Sequence, residues 1–154
     1  MKKVLIAYFS HTGNTEKMAE YIAEGIRFTG REAVTSNISE IKSIDDIKEY
    51  DGYIFGSPTY LQNLPDPMKQ FLSLVRQINL EGKLAGAFST YTHDVGYIAG
   101  GQAAEILLET MQNEFKMKPI ELGHFKIKEA VLETVDGMRA CQDYGKAFGQ
   151  KLEG

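Results

Sequence analysis

The sequence predicts a doubly wound α/β domain, a five-stranded parallel sheet with helices on both faces. Three observations lead there. Short apolar runs alternate with amphipathic stretches along the chain, and right-handed crossovers between parallel strands place such helices on the sheet faces. The apolar runs are continuous, the mark of strands buried on both sides. The 154 residues suit one domain with a proper core, and 43% apolar with 25% charged residues reads as soluble and globular. No repeat, linker or low-complexity segment interrupts the chain, so residues 1–154 are read as one domain.

Taken in order, residues 4–9 form the first buried strand, and Met18, Ile22 and Ile26 then mark a helix stripe from Thr15 onward. Residues 33–38 read as a weaker strand near an edge. Ser43 opens a Ser-x-x-Asp capping pattern over Ile44 and Ile47, a short helix at most. Residues 53–56 are the third strand, and Pro67 stands at the first helical position ahead of Met68, Phe71, Leu72 and Val75. Residues 84–88 make the fourth strand, with Ala103, Ile106, Leu107 and Met111 marking the helix behind it. Residues 120–122 are the fifth strand, its start set by Pro119, and 123–136 read as an extension of it or a small excursion. Cys141, Gly145, Phe148 and Leu152 give the closing helix.

Composition excludes several classes. The net charge of −4, with no basic run, argues against a nucleic-acid binder. No stretch approaches the ~20 apolar residues of a membrane helix. The start of the chain lacks a signal-peptide pattern, and a lone cysteine, Cys141, suits a reducing compartment. A cytoplasmic address is expected. A receiver domain needs acidic residues after the first and third strands, where Ser10 and Ser57 stand. A P-loop hydrolase needs a Gly-x-x-x-x-Gly-Lys motif, which is absent.

Ligands of doubly wound sheets bind outside the carboxyl ends of the strands, where the strand order reverses. The loops to inspect are therefore 10–15, 57–66 and 89–101. The first, Ser10-His11-Thr12-Gly13-Asn14-Thr15, joins a buried strand to a helix start and carries hydroxyls, an amide and a glycine without lysine or arginine. Such a loop suits an anion held by neutral donors and helix-terminal N–H groups; an ordinary capped helix start would carry the same residue types.

At these loops the chain resembles the flavodoxin family. Ser-x-Thr-Gly-Asn-Thr after the first strand is similar to the flavodoxin phosphate loop. Gly56-Ser57-Pro58-Thr59-Tyr60 is similar to the second flavin loop of flavodoxins and of the flavodoxin domains in flavodiiron proteins. Ser89-Thr90-Tyr91, with Gly100-Gly101 opening a helix, resembles the third. The resemblance implies a flavodoxin-like sheet of order 2-1-3-4-5 with FMN as cofactor. It implies that Ser10, Thr12, Asn14 and Thr15, with the backbone at His11 and Gly13, hold the FMN phosphate. Ser57, Pro58 and Thr59 would line the ribityl chain, and Tyr60, Leu61, Gln62 and Asn63 would approach the isoalloxazine. Ser89, Thr90, Tyr91, His93, Asp94, Gly96 and Tyr97 would cover its pyrimidine edge. Tyr60, Tyr91 and Tyr97 are the stacking candidates.

The implied function is electron transfer between redox partner proteins, a reductase and an acceptor, by a monomer or dimer. No catalytic residue and no metal are expected. Three departures from the family stand out: there is no tryptophan, Lys69, Lys83 and Arg76 offset much of the acid that flavodoxin carriers hold around the flavin, and the turn 59–63 has no glycine. The alternative is an FMN-dependent NAD(P)H:quinone or related oxidoreductase. Relatives of the tryptophan-repressor-binding-protein type carry Pro-Thr-Arg-Phe-Gly-Asn in the second loop, where this chain has Pro58-Thr59-Tyr60-Leu61-Gln62-Asn63.

Overall fold

A computed structural model describes residues 1–10, 13–59, 64–91 and 102–152. Five strands, β1 (Lys3–Tyr8), β2 (Glu32–Asn37), β3 (Gly52–Pro58), β4 (Leu84–Tyr91) and β5 (Lys118–Lys128), form one sheet in the order β2-β1-β3-β4-β5. All neighbouring strands run parallel. The helices are α1 (Asn14–Phe28), α2 (Asp66–Val75), α3 (Gln102–Asn113), the single turn α4 (Glu129–Leu132) and α5 (Val135–Lys151).

The period of two along each strand divides the core into two layers. Leu5, Ala7, Tyr53, Phe55, Ala85 and Ala87 face α2 and α3, packing on Met68, Phe71, Leu72 and Leu107. Val4, Ile6, Tyr8, Ile54 and Phe88 face α1 and α5, packing on Met18, Ile22, Ile26, Cys141 and Phe148. The helix stripe at Met18, Ile22 and Ile26 is fully buried, as its spacing predicts. On that face α1 and α5 approach until their backbones almost touch. A Cβ on Gly25 would stand 2.0 Å from the Gln142 carbonyl oxygen, and one on Gly145 would stand 2.0 Å from that of Ile22.

Several elements differ from their sequence reading. Pro67 occupies the second position of α2, because Asp66 already has helical geometry behind the Pro65 N-cap. The Ser43 pattern produces a single 3₁₀ turn, Ile44–Asp46, in which the Asp46 carboxylate accepts the N–H groups of Lys42 (2.9 Å) and Ser43 (3.2 Å). The fifth strand starts at Lys118, before the expected residue 120, and runs to Lys128, so residues 123–128 are the extension that the sequence reading allowed. It pairs with β4 at Lys118 and Pro119, leaves register, and pairs again from His124 to Lys128. Gly123, at φ 75°, turns the chain back onto the ladder. His124 thus lies inside β5 opposite Ala87, not beyond the strand.

Where β5 departs from β4, the Tyr144 hydroxyl takes over its role in the ladder. It accepts the Ala87 N–H at 3.1 Å and lies 2.7 Å from the Gly123 carbonyl oxygen and 3.3 Å from that of Ala87. Its ring stacks on Phe125 with centroids 5.2 Å apart. Burial pushes the Tyr144 phenol well above its ordinary range, so it remains a neutral donor.

Candidate functional site

The carboxyl ends of β1, β3 and β4 lie side by side at the middle of the sheet, where the strand order reverses between β1 and β3. Tyr8 pairs with Gly56, Ser57 with Ser89, and Pro58 with Thr90. Three loops far apart in sequence therefore leave the sheet from adjacent positions.

From the end of β1 the chain turns into α1 through Ser10 and Gly13. The Gly13 N–H donates to Ser10 Oγ at 3.0 Å. Gly13 is the N-cap of α1, with φ 93° and no side chain of its own to cap the helix. Among the described residues, a Cβ at Gly13 would meet nothing within 4 Å. A fifteen-residue helix thus brings its positive end to the ends of the central strands, an arrangement that favours an anion. The nearest cation of that first turn is engaged elsewhere: Lys17 Nζ lies 3.2 Å from both carboxylate oxygens of Glu133. The end of β1 is braced by the Tyr8 hydroxyl, which donates to Glu16 Oε1 at 2.9 Å. Burial first, and the Glu16 carboxylate second, push that phenol far above its ordinary range.

The second and third loops begin later than their sequence reading. Ser57 and Pro58 are the last residues of β3, and Ser89, Thr90 and Tyr91 are the last of β4. Parallel pairing continues through them because their side chains are satisfied without breaking the ladder. Ser57 Oγ, completely buried, donates to the Pro58 carbonyl at 2.8 Å. Ser89 is equally buried. Ser57 and Ser89 therefore lie below the edge, while Pro58, Thr59 and Tyr91 are half-buried at it. Thr59 ties two loops together: its N–H donates to the Thr90 carbonyl at 3.2 Å, and its Oγ1 accepts the Ala103 N–H at 3.2 Å in the first turn of α3. Thr15 and Thr90 meet through their hydroxyls, 3.2 Å apart and almost wholly buried.

The structure thus brings Ser10, Gly13, Asn14, Thr15, Ser57, Pro58, Thr59, Ser89, Thr90 and Tyr91 to one edge of the sheet. His11, Thr12, Tyr60, Leu61, Gln62, Asn63, His93, Asp94, Gly96 and Tyr97 lie outside the described residues. The Tyr8–Glu16 bond and the Thr15–Thr90 pair were not anticipated from sequence, since neither has a motif. Among the described residues no group of His, Cys, Asp or Glu is arranged to hold a metal, and no helix is long and apolar enough to cross a membrane. Neutral hydroxyls and backbone N–H groups around a helix end whose N-cap is glycine fit a phosphate dianion, which accepts hydrogen bonds and donates none.

Comparison with known proteins agrees with this fold. A flavodoxin-domain family model matches residues 5–128. The flavodoxin of Clostridium saccharobutylicum is 39% identical over 117 residues, covering 75% of this chain and 69% of its own length. Oxidised flavodoxin 1 from Bacillus cereus superposes with a TM-score of 0.85 at 29% identity, covering 99% of this chain and 100% of that one. The Flv1 flavodiiron core from Synechocystis sp. PCC6803 gives a TM-score of 0.79 at 25% identity over 97% of this chain, which spans 35% of that larger protein. With a match over most of its length and the five-strand order in place, the chain belongs to the flavodoxin family.

Proposed function

We propose that this chain binds FMN at the carboxyl edge of β1, β3 and β4 and carries electrons between redox partner proteins. The observation that carries the reading is the positive end of α1, with Gly13 as its N-cap, set beside the ends of β3 and β4. FMN, when bound, supplies the redox chemistry by accepting and releasing electrons, and the protein tunes it through packing, hydrogen bonds and nearby charge.

The phosphate is held by Ser10, Thr12, Asn14 and Thr15 with the backbone of His11 and Gly13. A dianion there keeps its charge, because its donors are neutral and the Lys17 ammonium is turned to Glu133. Pro58 and Thr59 flank the ribityl chain, with Ser57 buried beneath them. Tyr60, Leu61, Gln62 and Asn63 form one side of the ring site, and Tyr91, His93, Asp94, Gly96 and Tyr97 form the other. The partners are a reductase and an electron acceptor. A cytoplasmic address suits a chain whose single cysteine is buried and unpaired.

Anaerobic stepwise reduction of the FMN-loaded protein, followed by visible absorption, tests the reading. Two resolved one-electron steps are expected of a carrier. A single two-electron step, with NAD(P)H as an efficient donor, would replace the carrier by an FMN-dependent oxidoreductase.

A further inference from the structure

The first turn of α1 and the end of β4 meet in a buried pair of hydroxyls. Thr15 is 2% exposed and Thr90 1% exposed, and their Oγ1 atoms lie 3.2 Å apart across 75 positions of sequence. Each hydroxyl brings one proton and two lone pairs. The bond between them uses one of the two protons, and among the described residues neither hydroxyl has another partner. One proton is left for a further acceptor. Its position matters, because Thr15 lies in the first turn of a helix whose N-cap offers no side chain. A phosphate at that helix end is an acceptor of the right kind.

We infer that Thr90 is a positioning residue for the phosphate end of the bound flavin, acting through Thr15, and is not part of the wall around the ring. The inference rests on the FMN reading above. If the Thr15 proton goes to phosphate, the bond between the two hydroxyls must be donated by Thr90. Only one arrangement of the two protons then serves the ligand, and each bond in the chain polarises the next. The backbone of the same residue has a separate task, since the Thr90 carbonyl accepts the Thr59 N–H of the second loop. Side chain and main chain of Thr90 therefore support different loops.

FMN and riboflavin differ only in the phosphate, so the ratio of their affinities isolates that end of the site. Titrations of the flavin-free full chain would compare wild type with Thr90→Val, Thr90→Ser, Thr15→Val and the Thr15→Val/Thr90→Val double variant. Thr90→Val is expected to weaken FMN about tenfold, the effect of losing the one neutral hydrogen bond that orients the Thr15 hydroxyl, and to leave riboflavin almost unchanged. Thr90→Ser, which keeps the hydroxyl, should bind FMN as wild type does. The double variant should be no weaker than Thr15→Val alone, because the two residues act as one unit. Equal losses for both flavins in Thr90→Val overturn the proposal, as do additive losses in the double variant or a Ser variant as weak as Val. Should Thr90→Val not fold, Thr90→Ala takes its place with the same expected ratio. A wild-type chain that binds neither flavin removes the FMN reading itself, an outcome distinct from all of these.

Discussion

Gly13 stands at the N-cap of α1 with φ 93°, a backbone conformation that side chains rarely adopt. Among the described residues a Cβ there would touch nothing, so the backbone conformation is the constraint they show. The expected effect of Gly13→Ala is therefore conformational: about 1 kcal/mol of stability lost in urea denaturation without flavin. In contrast, Gly145→Ala would drive a Cβ to 2.0 Å from the Ile22 carbonyl oxygen. That contact is backbone against backbone and cannot be relieved by a rotamer. The loss should reach ~3 kcal/mol, read as a lowered urea midpoint. A loss as small as that of Gly13→Ala would mean that α1 and α5 can separate freely.

At the scale of elements, the interrupted pairing of β4 and β5 is the notable feature. Ladder bonds are lost between Pro119 and His124, and the Tyr144 hydroxyl from α5 supplies a bridge in their place. Tyr144→Phe keeps the stack on Phe125 but leaves the Ala87 N–H and the Gly123 carbonyl without that partner. Stability is expected to fall by ~1–3 kcal/mol. Amide hydrogen exchange should quicken most at Ala87, within β4, rather than uniformly. Uniform exchange across the sheet would show that the bridge has no local role. The same strand carries Thr90 at its end, so α5 braces from behind the strand that supports the site.

For the whole molecule, four buried acids favour their neutral forms. Burial pushes the Cys141 thiol up to about 12, and burial likewise raises Tyr53 to about 12. Tyr8 and Tyr144 are raised in the same direction. A raised folded-state value means that the folded protein binds these protons more tightly than the unfolded chain does. Their contribution is fully present below the ordinary thiol and phenol range and is lost as pH rises through the folded values. The thermal midpoint is therefore expected to stay level for these groups from pH 7 to about 9 and to fall between about 9 and 12. A midpoint that held level to pH 12 would contradict the burial of all four.

How much of this was legible in the sequence follows from the range of the interactions involved. Periodicity is local, so the buried run of β1, the stripe on α1 and the order of elements could be read directly from neighbouring residues. The glycine-capped loop was equally legible, because a strand end, a turn and a helix start lie within six residues, 10–15. Strand ends were not legible, since Ser57, Ser89 and Thr90 are polar and look like loop residues. Only pairing with a neighbouring strand shows that the ladder continues through them and buries them. The departure of β5, the Tyr144 bridge and the Thr15–Thr90 pair also came only with the tertiary structure. By itself the sequence determined which residue types stand at the ends of the strands. The folded sheet decided which of them meet, because hydroxyls 75 residues apart come within hydrogen-bond reach only once β1, β3 and β4 lie in register.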